Sequence, residues 1–141
     1  MTEQRTFFGT DGIRCRIGQA PLYPEFVMKL GWAIANELDP EHEKAFFIGR
    51  DTRNSGPMLW AALVAGITSA GSDVIDGGVF STPGVAFVTR DQDLIAGGIV
   101  ISASHNPHYD NGIKLFNHQG AKLSDQQEQG VEKKYLQKPS H

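Results

Sequence analysis

The run Leu94-Ile-Ala-Gly-Gly-Ile-Val-Ile101 constrains this chain more than any other segment. It carries no polar side chain, is rich in β-branched residues, and is too short for a buried helix. It also falls well below the roughly 20 apolar residues needed to cross a bilayer. The run therefore reads as a central strand covered on both faces, and such a strand requires helices above and below its sheet.

The flanking sequence supplies them. Leu22, Phe26, Leu30, Ala33, Ile34 and Leu38 recur at helical spacing, which predicts a helix from about Tyr23 that ends before Pro40. Ala45 to Ile48 reads as a short buried strand. Asn54 or Ser55 can cap a second helix with Pro57 in its first turn, buried along Met58, Leu59, Ala62, Leu63, Gly66 and Ile67. Val74 to Val79 reads as a strand, and Thr82-Pro83 starts a helix running to about Thr89. Ile113 to Phe116 adds a strand. Ser124 to Gln127 is a capping-box pattern that opens a last helix, with Val131 and Tyr135 on one face. Strands alternating with helices predict an α/β domain with a largely parallel sheet, whose ligands gather at the carboxyl ends of its strands.

The 141 residues fit one domain of ordinary size. A single cysteine, Cys15, excludes an internal disulfide framework, and no Cys/His set has metal-ligand spacing. Thirteen basic against sixteen acidic residues give a net charge of -3, which argues against a general nucleic-acid binder. With no membrane-spanning run and a polar amino terminus, a soluble cytoplasmic protein with neither nucleic-acid nor membrane partner is expected.

Four segments fall where such a sheet gathers its ligands. Ser102-Ala-Ser-His-Asn-Pro107 displays hydroxyls and an imidazole after the central strand. Taken alone it reads first as a polar turn, and acyl-transfer chemistry fits poorly because Ser104 lacks the elbow of acyl-transfer enzymes. Phe8-Gly-Thr-Asp-Gly-Ile-Arg14 has no periodicity and reads as a loop ending in a cation. Gly49-Arg-Asp-Thr-Arg53 sets two guanidinium groups around a carboxylate, although Asp51 and Arg53 could form a plain loop salt bridge. Asp110-Asn-Gly-Ile-Lys114 predicts a tight Asn-Gly turn followed by a lysine. Cations and exposed backbone amides converging on one rim suit a phosphorylated ligand. Sixteen glycines exceed the roughly 7% of average proteins. Gly9, Gly12, Gly49 and Gly112 lie in these segments, where close approach of backbone to phosphate is expected.

These four segments, in this order, resemble the α-D-phosphohexomutases along nearly the whole chain. Their wording is nearer to the branch that acts on glucosamine phosphate than to the phosphoglucomutase/phosphomannomutase branch. The resemblance implies a three-layer α/β/α sandwich with a mixed, largely parallel sheet. Residues 1–141 would form the first of the four domains found in full-length members, with the remaining domains of the same polypeptide as its partners.

The resemblance further implies that Ser104 is a phosphoserine. It would transfer phosphate to a hexosamine phosphate substrate and recover it through a hexosamine 1,6-bisphosphate intermediate. His105, Lys114 and Arg14 join Ser104 as implied catalytic residues. Thr10, Asp11, Arg14, Arg50, Arg53, Ser102, Asn106 and Lys114 are the implied substrate and phosphate contacts. A Mg²⁺ would be held by the Ser104 phosphate, its other ligands coming from an Asp-rich loop that these 141 residues do not contain. A chain without that loop is expected to be inactive alone.

Arginine is a poor base, so Arg14 suits charge stabilisation and Lys114 proton transfer. His42, His108, His118 and His141 read as surface residues. Where the family usually has glycine, this chain has Cys15, which strains the loop only if that position needs a positive φ. Independently of that, a free thiol beside Arg14 is expected to be unusually reactive. The rival readings are a phosphoglucomutase or phosphomannomutase acting on neutral hexose phosphates, and a sugar-phosphate-binding module without catalysis. A dinucleotide-binding domain is disfavoured by the absence of G-x-G-x-x-G.

Overall fold

A computed structural model describes residues 7–137 of the chain. The elements are β1 (Ile13–Arg16), α1 (Pro24–Leu38), β2 (Ala45–Arg50), α2 (Gly56–Ala70), β3 (Asp73–Val79), α3 (Thr82–Asp91), β4 (Ile95–Ile101), β5 (Asp110–Asn117) and α4 (Asp125–Gln137). They form one five-stranded sheet in the order β1-β5-β4-β2-β3. β2 pairs in parallel with both β3 and β4, whereas β5 is antiparallel to β4 and to β1. The sheet is therefore mixed, and β4 lies at its centre with every residue buried, as its unbroken apolar run requires.

Two cores sandwich the sheet. The larger joins Leu30 and Ile34 of α1, Leu59, Leu63 and Ile67 of α2, and Val131 of α4 to Phe46, Ile48, Ile99, Ile101, Ile113 and Leu115 of the strands. The smaller joins Val85 of α3 to Phe47, Ile95, Val100 and Phe116. Neighbouring strand residues thus alternate between faces, as pleating dictates. Gly98 lets α3 settle on the sheet, since a Cβ there would strike the Thr89 hydroxyl and lie 3.0 Å from Val85.

Local signals are mostly used as their chemistry suggests. The capping box closes reciprocally: the Ser124 amide donates to Gln127 Oε1 at 3.0 Å and the Gln127 amide to Ser124 Oγ at 3.1 Å. Ser81 Oγ caps α3 by accepting from the Gly84 amide. Ser55 sits at the start of α2 but makes no side-chain cap. Its hydroxyl instead accepts a 2.8 Å hydrogen bond from the buried Asn111 amide, tying α2 to β5. The buried Asp39 carboxylate accepts from the amides of Glu43 and Lys44 and from Ser72 Oγ, joining the end of α1 to the starts of β2 and β3.

Three expectations are corrected. The glycine-bearing stretch ending at Arg14 is not loop throughout, because Ile13 to Arg16 pair with β5. Four residues are too few to announce a strand by periodicity. Asn111-Gly112 is not a turn but the start of β5. Gly112 is needed there for space, since a Cβ would lie 2.8 Å from Arg14 Cγ, Ile13 O and Ser102 O. His42 is also no plain surface residue: it is half-buried, with φ 55, beneath the α2 C-cap at Gly71. His118 is exposed, and His141 lies outside the described residues.

Candidate phosphoryl-carrier site

The carboxyl ends of β2 and β4 are neighbours in the sheet, so the segments that follow them meet at one rim. The Asp51 amide donates to the Ile101 carbonyl at 3.1 Å, and the Ser102 amide to the Gly112 carbonyl at 3.0 Å. Between β4 and β5 the chain makes a compact loop. The Asn106 amide donates to Ala103 O and the Asp110 amide to Pro107 O. Asn106 Nδ2 donates to Asp110 Oδ2 at 3.2 Å.

Ser104 stands exposed on this loop, with its backbone in the left-handed region at φ 55. That conformation costs a non-glycine residue on the order of 1–2 kcal/mol. Ser102 Oγ accepts from the Ser104 amide at 3.0 Å. A cleft of about 490 Å³ opens beside Ser104, lined by Asp51, Thr52, Arg53, Asn54, Asn106 and His108. His108, expected only as a surface residue, thus borders the cleft, while His105 is exposed and makes no hydrogen bond among the described residues.

The expected cations divide into two groups. Arg50 and Arg53, expected as phosphate contacts, each pair with a carboxylate, and Arg53 also borders the cleft. Arg50 forms a 3.3 Å ion pair with Asp76 and packs along Gly56 at the start of α2. Arg53 is 10% exposed and pairs through Nε with Asp51 Oδ2 at 3.0 Å, the plain loop salt bridge that its sequence also allowed. The rest of its guanidinium faces the serine loop. Nη2 donates to Ser104 O at 2.8 Å, and Nη1 reaches Pro107 O, Asn106 O and Asp110 O at 2.7, 3.1 and 3.3 Å.

Arg14 and Lys114 are different. Arg14 lies opposite Gly112, and Lys114 is two residues further along β5, so both belong to the sheet face that carries α3. α3 packs on β2 and β4 and covers little of β5, which leaves this part of the face open. Arg14 is exposed and makes no hydrogen bond or ion pair among the described residues. The Lys114 ammonium stands 5.7 Å from the Phe116 ring centroid and has no charged partner among them. Arg16 is on the same face, stacked over Tyr109 at 4.6 Å. Thr10 and Asp11 are exposed at the tip of a turn closed by the Gly9 amide donating to Gly12 O at 2.8 Å. Gly12, at φ 81, presses against Ile113 and Lys114 of β5. The turn therefore lies at the far end of β1 from the serine loop.

Cys15 points the other way. Strand alternation sends it to the large core, away from Arg14, with Sγ donating to Gln19 O at 3.5 Å. Its φ is not positive, so the position does not require glycine. Burial pushes the thiol above its ordinary pKa, partly offset by a backbone hydrogen bond from Leu22 and reinforced by Asp110. The expected reactive thiol is corrected accordingly. Alkylation by iodoacetamide at neutral pH should be several-fold slower in the folded chain than in urea. Because the folded state holds its proton more tightly than the unfolded one, this thiol's contribution to stability is complete below the unfolded pKa and is lost as pH rises through the folded value. Equal alkylation rates in both states would contradict this assignment.

The residues present do not by themselves fit a magnesium site. Among the described residues, no three of His, Cys, Asp and Glu are placed to hold a metal ion. In the two rim loops, Asp51 is taken by Arg53 and Asp110 by Asn106. The asparagine and serine that order this rim, Asn111 and Ser55, escape sequence reading because their contact spans 56 residues.

Residues 5–141 match the family described as phosphoglucomutase/phosphomannomutase, alpha/beta/alpha domain I. The chain is 52% identical over 132 residues to phosphoglucosamine mutase of Vibrio atlanticus, covering 94% of this chain and 29% of that protein. Over 133 residues it is 50% identical to the phosphoglucosamine mutase of Halorhodospira halophila, again covering 94% and 29%. It thus spans under a third of the length of these curated relatives. Among solved structures, a phosphoglucomutase/phosphomannomutase family protein of Burkholderia thailandensis is similar with a TM-score of 0.78 at 32% identity, covering 92% of this chain and 30% of that one. Parafusin of Paramecium, a phosphoglucomutase in its open form, gives a TM-score of 0.78 at 25% identity, covering 95% and 27%.

Proposed function

Because the chain belongs to the phosphoglucomutase/phosphomannomutase family, we propose that it is the phosphoserine-bearing domain of an enzyme interconverting glucosamine 6-phosphate and glucosamine 1-phosphate. One observation carries the reading: an exposed, conformationally constrained Ser104 stands at the rim of a sheet whose open face presents Arg14 and Lys114 without charged partners. Approximately 50% identity to phosphoglucosamine mutases supports the glucosamine branch over the phosphoglucomutase/phosphomannomutase branch.

In the forward step the sugar hydroxyl attacks the Ser104 phosphate. A new sugar O–P bond forms, the Ser104 Oγ–P bond breaks, and the sugar's proton passes to a base while Ser104 Oγ regains one. The resulting 1,6-bisphosphate then returns its other phosphoryl group to Ser104. Charge moves over phosphate oxygens throughout, so fixed cations matter more than a strong nucleophile. Arg14 is charged at any physiological pH and serves as an electrostatic stabiliser. Lys114 is the group on that face suited to exchange the proton. Mg²⁺, supplied in this reading through other domains, would neutralise phosphate charge. The remaining domains would also bring the sugar and the distal phosphate site, and the compartment would be the cytoplasm.

Intact-mass analysis tests the carrier assignment. Protein made in cells, or incubated with excess hexose 1,6-bisphosphate, should gain ~80 Da on Ser104. Exclusively unmodified serine under conditions that phosphorylate the intact enzyme would favour a non-catalytic sugar-phosphate-binding module. The 141-residue chain alone is expected to form no glucosamine 1-phosphate.

A further inference from the structure

We infer that Arg53 is the positioning residue of the phosphoryl carrier: its guanidinium acts as a template for the carbonyls of the 104–110 loop and thereby holds Ser104 in its left-handed backbone conformation. The inference rests on the reading of Ser104 as that carrier. Beyond the phosphate contact that the family resemblance implies for Arg53, it gives this residue a role exerted through the Ser104 loop.

The geometry is specific to arginine. The acceptors, Ser104 O, Asn106 O, Pro107 O and Asp110 O, are contacted at 2.7 to 3.3 Å by the two terminal nitrogens of one planar group. Carbonyls gathered around one point repel each other unless a multi-donor cation lies between them, and only the guanidinium offers five donors in a fixed fork. Asp51 orients the fork twice, accepting from Arg53 Nε at 3.0 Å and from the Arg53 amide at 3.1 Å. The side chain is 10% exposed and its bonds to Asp51 are partly buried, while Ser104 and Pro107, whose carbonyls it also engages, stand exposed.

The loop itself supplies little alternative support. Its internal bonds are the Ser104 amide to Ser102 Oγ, the Asn106 and Asp110 amides to Ala103 O and Pro107 O, and the Asn106 side chain to Asp110. None of these engages the Ser104 carbonyl, the group that rotates when Ser104 leaves the left-handed region. Arg53 Nη2 does engage it. Arg53 follows the end of β2, which pairs on both sides in the parallel half of the sheet, so its bonds tie the reacting serine to that half across 51 residues of sequence. A transfer through an in-line geometry needs its oxygen held in place, and displacements near 1 Å cost about 10²-fold.

The test compares the parent chain with Arg53→Lys and Arg53→Met by hydrogen exchange, read residue by residue, and by the rate of ~80 Da uptake from a hexose 1,6-bisphosphate. Both variants should speed exchange of the Asn106 and Asp110 amides by about tenfold or more while the amides of β4 and β5 keep their protection. The maximal uptake rate should fall about 10²-fold, with the bisphosphate concentration giving half-maximal rate unchanged. Lysine should fail to rescue, because a single ammonium cannot replace the fork. Unchanged loop exchange, a uniform loss of protection over the whole sheet, or full rescue by Arg53→Lys would each overturn the inference. If the parent chain takes up no phosphate under conditions that phosphorylate the intact enzyme, the carrier reading fails, and the exchange data still decide whether Arg53 holds the loop.

Discussion

Replacing Arg14 with glutamine, or Lys114 with methionine, is expected to slow phosphoryl uptake at Ser104 by about 10²–10³-fold each, the usual cost of removing one group aimed at developing charge. Folding should be nearly untouched. Arg14 is exposed with no hydrogen-bonding or ionic partner among the described residues, so its removal leaves nothing unpaired. In Lys114→Met the aliphatic stem remains on the sheet, and only a distant ring contact is lost, 5.7 Å from the Phe116 centroid. Arg14 is exposed and Lys114 half-buried, and substitutions that leave no buried group unpaired normally stay within about 0.5 kcal/mol. The informative measurement pairs uptake kinetics by mass spectrometry with a thermal midpoint. Uptake within about threefold of the parent would remove these two cations from the mechanism. A collapse of both quantities together would make them structural.

The largest stability effect should come from a glycine far from that rim. α1 and α2 cross with their backbones in contact, and the contact is reciprocal. A Cβ on Gly31 would lie 2.7 Å from the Leu63 carbonyl oxygen. A Cβ on Gly66 would overlap the Met28 carbonyl and lie 2.9 Å from the Trp32 amide. Both obstacles are helix backbone, which cannot move without shifting a whole element. Gly66→Ala should therefore destabilise by about 3 kcal/mol, the upper end for overpacking, even though alanine favours helix by about 1 kcal/mol. The thermal midpoint should drop by roughly 10 °C. Ala65→Ser, on the exposed side of the same helix, is the control and should move it little. A Gly66→Ala loss under about 1 kcal/mol would mean that the two helices can separate at little cost, against the close packing described above.

Much of the architecture was legible because it depends on nearest neighbours in sequence. The apolar run at β4, the helical spacing along α1 and the Ser124–Gln127 box all encode their structure within a dozen residues. Ser104 was legible in a different way, through the wording of its loop, which matches a family and not a periodicity. The meaning of the glycines was less legible. Gly49, expected to approach phosphate, faces α3, since a Cβ there would lie 2.6 Å from Val85 Cγ2 and 3.0 Å from Phe80 Cβ, so it serves the seating of α3. Gly112 likewise makes room for β1 and for the serine loop.

The sequence by itself determined the alternation of strands and helices, the central buried strand, and the exposed loop bearing Ser104. These follow from burial periodicity and from turn chemistry, both local properties of the chain. Only the tertiary structure decided that Ile13 to Arg16 join the sheet and that Cys15 turns inward while Arg14 turns outward. It also decided that Arg53 grips the serine loop while Arg14 and Lys114 remain open. Each of these depends on strand register and on contacts between residues some fifty to a hundred positions apart. A single arginine looks the same in sequence whether it ends among carbonyls or in water.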